Sequence, residues 1–485
     1  KSSFSITLPK DIVSRLSICL LLLLLMVNGI GVLGPETSFD ALWYHLTLAK
    51  LSLATHTISF IPGGLLYYSV MPKLGELFFI PVLLFGNEIW AKAIQFLFGI
   101  FTTVAIYKIS RRYVSVSLSL LAGLVFYGNI VVAWESTVAY IDLIRTFYEA
   151  MGLWALLLWI ETKKRIWLYV SAMMIGFAIS TKLLAVGSLG IVTLLILFIL
   201  LREKKLSVRS IFSTIGIYWV ICLVVVLPWL IFSYTNTGNP IYPFFTSLYP
   251  IHSSQNIFSL QNVFIDFGKL FLSSDDPISP MYVIVLPLIF VFFSKLKPQI
   301  KIVVYYALFA SVIWYITPRT GGGRFILPYL PAFSILVIAI VEMIKRQKII
   351  YITIVTSIFL VAAITVVYRG IANSRYLPVI IGTQTKAQFL TNNLNFSFGD
   401  FYDIDGYFAK HIKAKDTVLL YGFHNLYYVD FPFIDSSYVQ NGDTFTHIAT
   451  QNTTLPKRFT DWELIYENKT TSVRLYTKEK KIWHY

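Results

Sequence analysis

Long apolar runs separated by short polar clusters recur through the first 370 residues. A run of about 17–25 apolar residues is enough for a helix to cross the ~30 Å hydrocarbon core of a bilayer. Placing the basic clusters on one side of the membrane gives a consistent threading. Residues 16–33 run outward, 34–89 stay outside, and 90–107 return to Lys108, Arg111 and Arg112. Residues 114–132 run out to a short loop around Glu135, and 140–160 come back to Lys163, Lys164 and Arg165. Residues 167–184 go out, 187–201 come in to Arg202, Lys204, Lys205 and Arg209, and 211–233 lead to a longer outer segment, 234–280. The remaining spans are 281–294, 302–317, 325–344 and 349–368, about eleven in all. Leu74–Phe85 is apolar but too short to cross, which predicts a helix lying in the interface. Counting it as a span would move every later basic cluster to the opposite side.

Beyond Tyr368 the pattern changes to polar residues with short strand-like runs, Asp416–Gly422 and Thr471–Tyr476. The expected organisation is a transmembrane domain over 1–369, with 34–89 as its first outer loop, and a small soluble α/β domain over 370–485 on the outer side. Composition agrees. A mean hydropathy of +0.68 with 13% charged residues excludes an ordinary soluble globular protein. The net charge of +15 sits mostly in clusters between spans, so it reads as topology and predicts no nucleic-acid partner. Cys19 and Cys222 both lie in apolar runs, which excludes a disulfide framework. The first run follows Lys10 and Arg15, is long for a signal-peptide core and has no small-residue cleavage pattern, so it reads as the first span.

The chemistry concentrates where the first span ends. Gly34 to Leu46 carries two carboxylates, and the second, Asp40, lies within about one helical turn of Trp43, Tyr44 and His45. A carboxylate beside aromatic rings can serve as a general base, and the rings can stack on sugars. The competing reading makes Asp40 the cap of a helix starting at Ala41; spacing alone leaves the two level. Glu135 and Asp142 end neighbouring spans, where they can hold a substrate amine or hydroxyl, orient Arg145 or bind a cation. Asp142 and Arg145 are also three apart on one helix face, the spacing of a plain ion pair. Lys182, Arg319 and Arg324 fall near the outer interface, and Gly321-Gly322-Gly323 would let backbone N–H groups approach an anion. Snorkelling to headgroups competes with phosphate binding for Lys182. Asp403-Ile404-Asp405 has the spacing of a metal-binding DxD but sits in the soluble tail and reads as a loop; Asp275-Asp276 reads as a capping turn before Pro277. The seven His residues have no paired zinc-ligand spacing.

Phe39-Asp40-Ala41-Leu42-Trp43-Tyr44-His45-Leu46 resembles the first outer-loop motif of bacterial GT-C-type integral membrane glycosyltransferases. That group is related to the rhizobial core-oligosaccharide transferases and, more distantly, to protein mannosyltransferases and aminoarabinose transferases. Three further stretches are similar in the same order: Glu135 with Ala139-Tyr140-Ile141-Asp142-Leu143, Pro228-Trp229 with Thr237 to Phe244, and Arg324-Phe325-Ile326-Leu327-Pro328-Tyr329-Leu330-Pro331. The resemblance implies a GT-C-like helical fold in a bacterial plasma membrane. It implies a polyprenyl-phosphate sugar donor, inverting transfer to a glycan, lipid or protein acceptor, and Asp40 as the base. Asn239 and Tyr242 on the long outer loop can line the donor pocket, while Asn239-Pro240 is equally a plain turn signal. Relatives often have Asp-Glu in the first loop, whereas Ala41 follows Asp40 here, so first-loop metal chelation is not expected and no cofactor is predicted. A divalent metal has no support in the sequence. The rival readings are a polytopic transporter or lipid flippase, and a scaffold that binds lipid-linked glycans without turnover.

Overall fold

In a computed structural model of the chain, residues 11–202, 207–247, 260–272, 276–317, 322–478 and 482–485 are described. The first helix, α1 (Ile12–Leu33), starts where the Asp11 carboxylate accepts the Ser14 N–H. A short π-helical turn, Ala41–His45, leads into α2 (Leu46–Thr55). The apolar stretch expected at the interface is a helix over the predicted residues, α3 (Leu74–Phe85). There follow α4 (Glu88–Ser110), α5 (Val116–Tyr127), α6 (Ile130–Glu135), α7 (Asp142–Thr162), α8 (Arg165–Thr181), α9 (Val186–Arg202) and α10 (Val208–Thr237). After α11 (Leu260–Leu272), α12 (Met281–Val285) and α13 (Ile289–Phe292) come α14 (Pro298–Ile316), α15 (Gly323–Ile326), α16 (Leu330–Met343) and α17 (Lys348–Ser374).

Eight helices among the described residues are long and apolar enough to cross a membrane. The expected spans 114–132, 167–184 and 281–294 correspond to shorter apolar helices, so eight rather than eleven meet that standard by length and composition. The stretch Gly323–Met343 is 89% buried and forms the centre of the bundle, while α10 is 17% buried and lies at its edge. Burial explains the polar face of α7. Arg145 Nε donates to Glu149 Oε1 at 2.7 Å, and Glu149 Oε2 accepts from Ser188 of α9 at 2.6 Å and Tyr306 of α14 at 3.2 Å. These charges cost little inside the bundle because each is paired and hydrogen-bonded.

Past α17, α18 (Leu377–Ile380), α19 (Lys386–Asn393) and α20 (Tyr407–His411) precede a five-stranded sheet, against which Phe408 of α20 packs. Its strands are β1 (Val418–Tyr421), β2 (Phe433–Asp435), β4 (His447–Gln451), β5 (Glu463–Asn468) and β6 (Val473–Thr477), in the order β2-β1-β4-β6-β5. β1 is parallel to β2 and β4, and the other pairs are antiparallel. β3 (Thr444–Phe445) and β7 (Trp483–His484) form a separate antiparallel pair. Asp403 and Asp405 accept the N–H groups of Ala409 and Tyr407 around α20, the loop role expected of them. The sheet domain docks on the residues that carry Asp40. The Tyr427 N–H donates to the Leu42 carbonyl at 3.2 Å, the Tyr428 hydroxyl to the Glu36 carbonyl at 2.9 Å, and Lys50 Nζ to the Tyr427 carbonyl at 2.7 Å.

Candidate active site

The loop from Gly34 to Asp40 is held from several sides. Buried Lys92 of α4 donates to the carbonyls of Gly31 and Gly34, at 2.7 and 2.8 Å, satisfying the end of α1. Glu36 accepts the N–H groups of Thr37 and Ser38, both at 2.8 Å, and that of Ala139 at 2.6 Å, which ties the loop to the turn before α7. The Asp40 N–H donates to the Tyr140 hydroxyl at 3.2 Å. Asp40 has helical backbone angles and makes no capping bond, so the cap reading of this residue does not hold. Its carboxylate is turned elsewhere.

It meets Arg324, whose Nη1 donates to Asp40 Oδ2 at 2.6 Å. The same guanidinium donates from Nε to Asp142 Oδ2 at 2.9 Å and lies 3.3 Å from Glu135 Oε1. The ring of Tyr140 lies 4.2 Å from its central carbon. Lys182 Nζ binds the other Asp142 oxygen at 2.7 Å, and Gln95 Nε2 donates to Glu135 Oε2 at 3.1 Å. Three carboxylates thus converge on one arginine, but the Glu135 and Asp142 side chains are 0% and 2% exposed while that of Asp40 is 18% exposed. Only Asp40 is open to an incoming group. Burial works to raise its pKa, but Arg324 and then His45 more than offset this and hold the carboxyl below its usual range. Burial, with the charge of Asp142 beside it, pushes Glu135 in the other direction, well above the ordinary carboxylate range.

Several expected residues are elsewhere or act differently. Asp142 pairs with Lys182 and Arg324 rather than with Arg145, whose partner is Glu149 one turn further on. Lys182 therefore neither snorkels nor stands alone. His45 is buried with Nδ1 2.6 Å from Glu76 Oε1, a contact that fixes α2 against α3. Tyr44 reaches Asp40 through its hydroxyl at 3.1 Å while its ring stacks on Tyr68. Half-buried Trp43 donates to the Leu65 carbonyl and packs against Phe39, Tyr68 and His424. Asn239 donates to the Phe244 carbonyl and accepts the Ile241 N–H, so it builds the turn that also holds Tyr242; neither contacts Asp40. Arg319 and Gly321 lie outside the described residues. The backbone at Gly323 and Arg324 does bind an anion, and the anion is Asp276, which accepts their N–H groups at 3.2 and 2.6 Å. Asp276 thus caps a helix start, though not the one following it in the chain. Sequence reasoning missed Gln95, and Tyr140 entered it only inside the second-loop motif. Among the described residues no three His, Cys, Asp or Glu side chains form a group able to hold a metal ion.

Residues 77–232 match the family model of the dolichyl-phosphate-mannose-protein mannosyltransferases. No curated protein sequence matches the chain. The fold is similar to the crystal structure of ArnT from Cupriavidus metallidurans in the apo state, with TM-score 0.61 and 12% identity over 96% of this chain and 98% of that one. ArnT bound to undecaprenyl phosphate gives TM-score 0.60 and 12% identity, over 95% and 97% of the two chains. The Archaeoglobus fulgidus oligosaccharyltransferase in complex with zinc and sulfate gives 0.51 and 10%, over 88% and 67%. At these identities the likeness is one of fold. The family model thus covers part of the membrane-spanning region, and the fold likeness extends over nearly the whole chain. The chain is a multi-pass membrane protein whose fold is similar to that of ArnT.

Proposed function

We propose that the protein transfers a sugar from a polyprenyl-phosphate-linked donor to an acceptor hydroxyl, with inversion, at the extracytoplasmic face of a bacterial plasma membrane. The observation that carries this reading is the partly open Asp40 carboxylate held against Arg324, with Lys182 beside it. Asp40 takes the hydroxyl proton as the acceptor oxygen bonds to the anomeric carbon. The bond from that carbon to the phosphate oxygen breaks, and its electron pair leaves with the polyprenyl phosphate. Arg324 and Lys182 balance the charge that develops there. Arg324 uses Nε and Nη1 on the carboxylates, and a guanidinium has five N–H donors, so it retains capacity for a phosphate oxygen. The lipid chain of the donor stays in the bilayer, since exposing it costs about 25 cal/mol per Å². On this reading residues 1–369 are the catalytic domain and 370–485 sit on the same outer face, holding the catalytic loop from behind.

The buried Arg145–Glu149 pair is held by Ser188 and Tyr306 in a closed hydrogen-bonded group, which favours a structural role for these charges over a transport pathway. The purified protein in lipid nanodiscs, given a panel of polyprenyl-phosphate sugars and a membrane extract as acceptor, is expected to release polyprenyl phosphate. Asp40→Asn is expected to lower that rate by about 10²–10⁴-fold with the fold intact. An undiminished rate in the variant would reject the assignment of the base.

A further inference from the structure

The sheet domain meets the Asp40 loop with aromatic rings. Phe39 and Trp43 lie one helical turn apart and so share a face. The Phe39 ring stacks on His424 at 5.1 Å and meets Phe398 edge-on at 5.1 Å, while Trp43 lies 4.8 Å from His424. Phe398 and His424 are themselves 4.9 Å apart, which closes a shelf of four rings. It adjoins the reacting group: Phe39 precedes Asp40, and Trp43 contacts the ring of Tyr44, whose hydroxyl binds Asp40. Phe39 and Phe398 are nevertheless 39% and 50% exposed. Exposed rings in contact with one another form an apolar patch that folding has left uncovered, and such patches mark binding sites.

A polar group is built into the shelf. Buried Asp400 accepts at both oxygens, from the Asn395 N–H and from Asn425 Nδ2, both at 2.6 Å. Asn425 therefore presents its amide oxygen to His424 Nδ1, at 2.8 Å. That contact places the ring proton on Nδ1 and leaves Nε2 of the neutral imidazole an acceptor. Among the described residues no group donates to Nε2, and His424 is partly exposed. The Gly399 carbonyl accepts the His424 and Asn425 N–H groups at 3.0 and 3.2 Å, which fixes the turn after Phe398 to the imidazole.

Two demands select the ligand. The rings call for an apolar face of about their own size, and Nε2 calls for a hydroxyl beside it. A pyranose supplies both, C–H groups on its face and hydroxyls on its rim. An acyl chain leaves Nε2 unpaired, and a serine or threonine side chain is too small to cover the rings. We propose that the acceptor is a saccharide, with its terminal sugar laid on Phe39 and Phe398, one hydroxyl donating to His424 Nε2 and another reaching Asp40. That the bound sugar is the acceptor rests on the transfer reading; its binding needs neither donor nor base.

The test is saturation-transfer NMR on the intact protein in lipid nanodiscs, without donor. The probes are methyl pyranosides of glucose, galactose, mannose and N-acetylglucosamine, with hexanoate and a blocked serine tripeptide as rivals. At least one pyranoside is expected to bind better than either rival. Phe398→Ala is expected to weaken it about tenfold and Phe398→Trp to restore it. His424→Phe keeps a ring but no acceptor, and a loss of about fivefold is expected. Both side chains lie partly in solvent, so these changes spare the core. No pyranoside bound, a rival bound better, binding unchanged by Phe398→Ala or His424→Phe, or no recovery with Phe398→Trp would overturn the proposal. Turnover surviving in Asp40→Asn would instead overturn the assignment of the base.

Discussion

Asp40 stays ionised in a largely buried setting because Arg324 outweighs the cost of burial. The sign of the pH dependence follows. A carboxyl whose folded pKa is lowered keeps its charge, and the stability of its ion pair, above the ordinary value of about 4, and loses both as pH falls through the lower folded value. The acid limb of kcat/KM is therefore expected below the usual carboxylate range. Arg324→Gln removes the strongest opposition to burial, so the limb should move to higher pH; a pH–rate profile that stays put contradicts the pairing. Tyr44→Phe removes only the hydroxyl bond to Asp40, and a loss of about fivefold in turnover is expected from one hydrogen bond. Asp40 and Arg324 were both legible in the sequence through their flanking motifs. The partner of Asp142 was not, because helix spacing shows Arg145 nearby but cannot show that Glu149 claims it while Lys182 and Arg324 arrive from other helices.

At the scale of elements, the helix that carries Arg324 is set by a glycine and a distant aspartate. A Cβ at Gly323 would lie 2.1 Å from the Asp276 carbonyl oxygen, so backbone must move to admit any side chain. Gly323→Ala is expected to destabilise the protein by about 1–3 kcal/mol and to displace Arg324, read as a lower Tm with a disproportionate loss of activity. Glu149→Ala would leave Arg145 charged and unpaired between four helices, and a loss of about 3–5 kcal/mol is expected, with Glu149→Gln milder; thermal unfolding in detergent checks the order. The sequence pattern predicts the helices well because hydrocarbon demands long apolar runs. It was less faithful for α5, α8 and the interrupted Met281–Lys295, which are short and packed by neighbours. Gly321-Gly322-Gly323 offered an anion site in sequence, but the carboxylate that the Gly323 and Arg324 N–H groups bind, Asp276, comes from far earlier in the chain and could not be foreseen.

Across the whole molecule, the membrane bundle supplies the charges and the sheet domain steadies the loop that presents Asp40. Lys50 bridges the two, donating to the Tyr427 and Val429 carbonyls at 2.7 and 2.9 Å. Lys50→Ala leaves those carbonyls without a donor, so hydrogen exchange at residues 36–46 is expected to quicken several-fold, with a matching fall in turnover. Exchange unchanged there would show that the domain does not support the loop. Two of the strands, β1 and β6, were visible as apolar runs. β2 and β3 are two or three residues long and depend on pairing across the sheet, which no local pattern encodes. The central claim is that Asp40 performs a transfer reaction. Mass spectrometry of surface glycolipids and glycoproteins, from cells lacking this protein and complemented with the wild type or Asp40→Asn at equal membrane levels, tests it most directly. A sugar-mass increment restored by the wild type and absent with the variant is the expected result; an increment restored equally by both would contradict it.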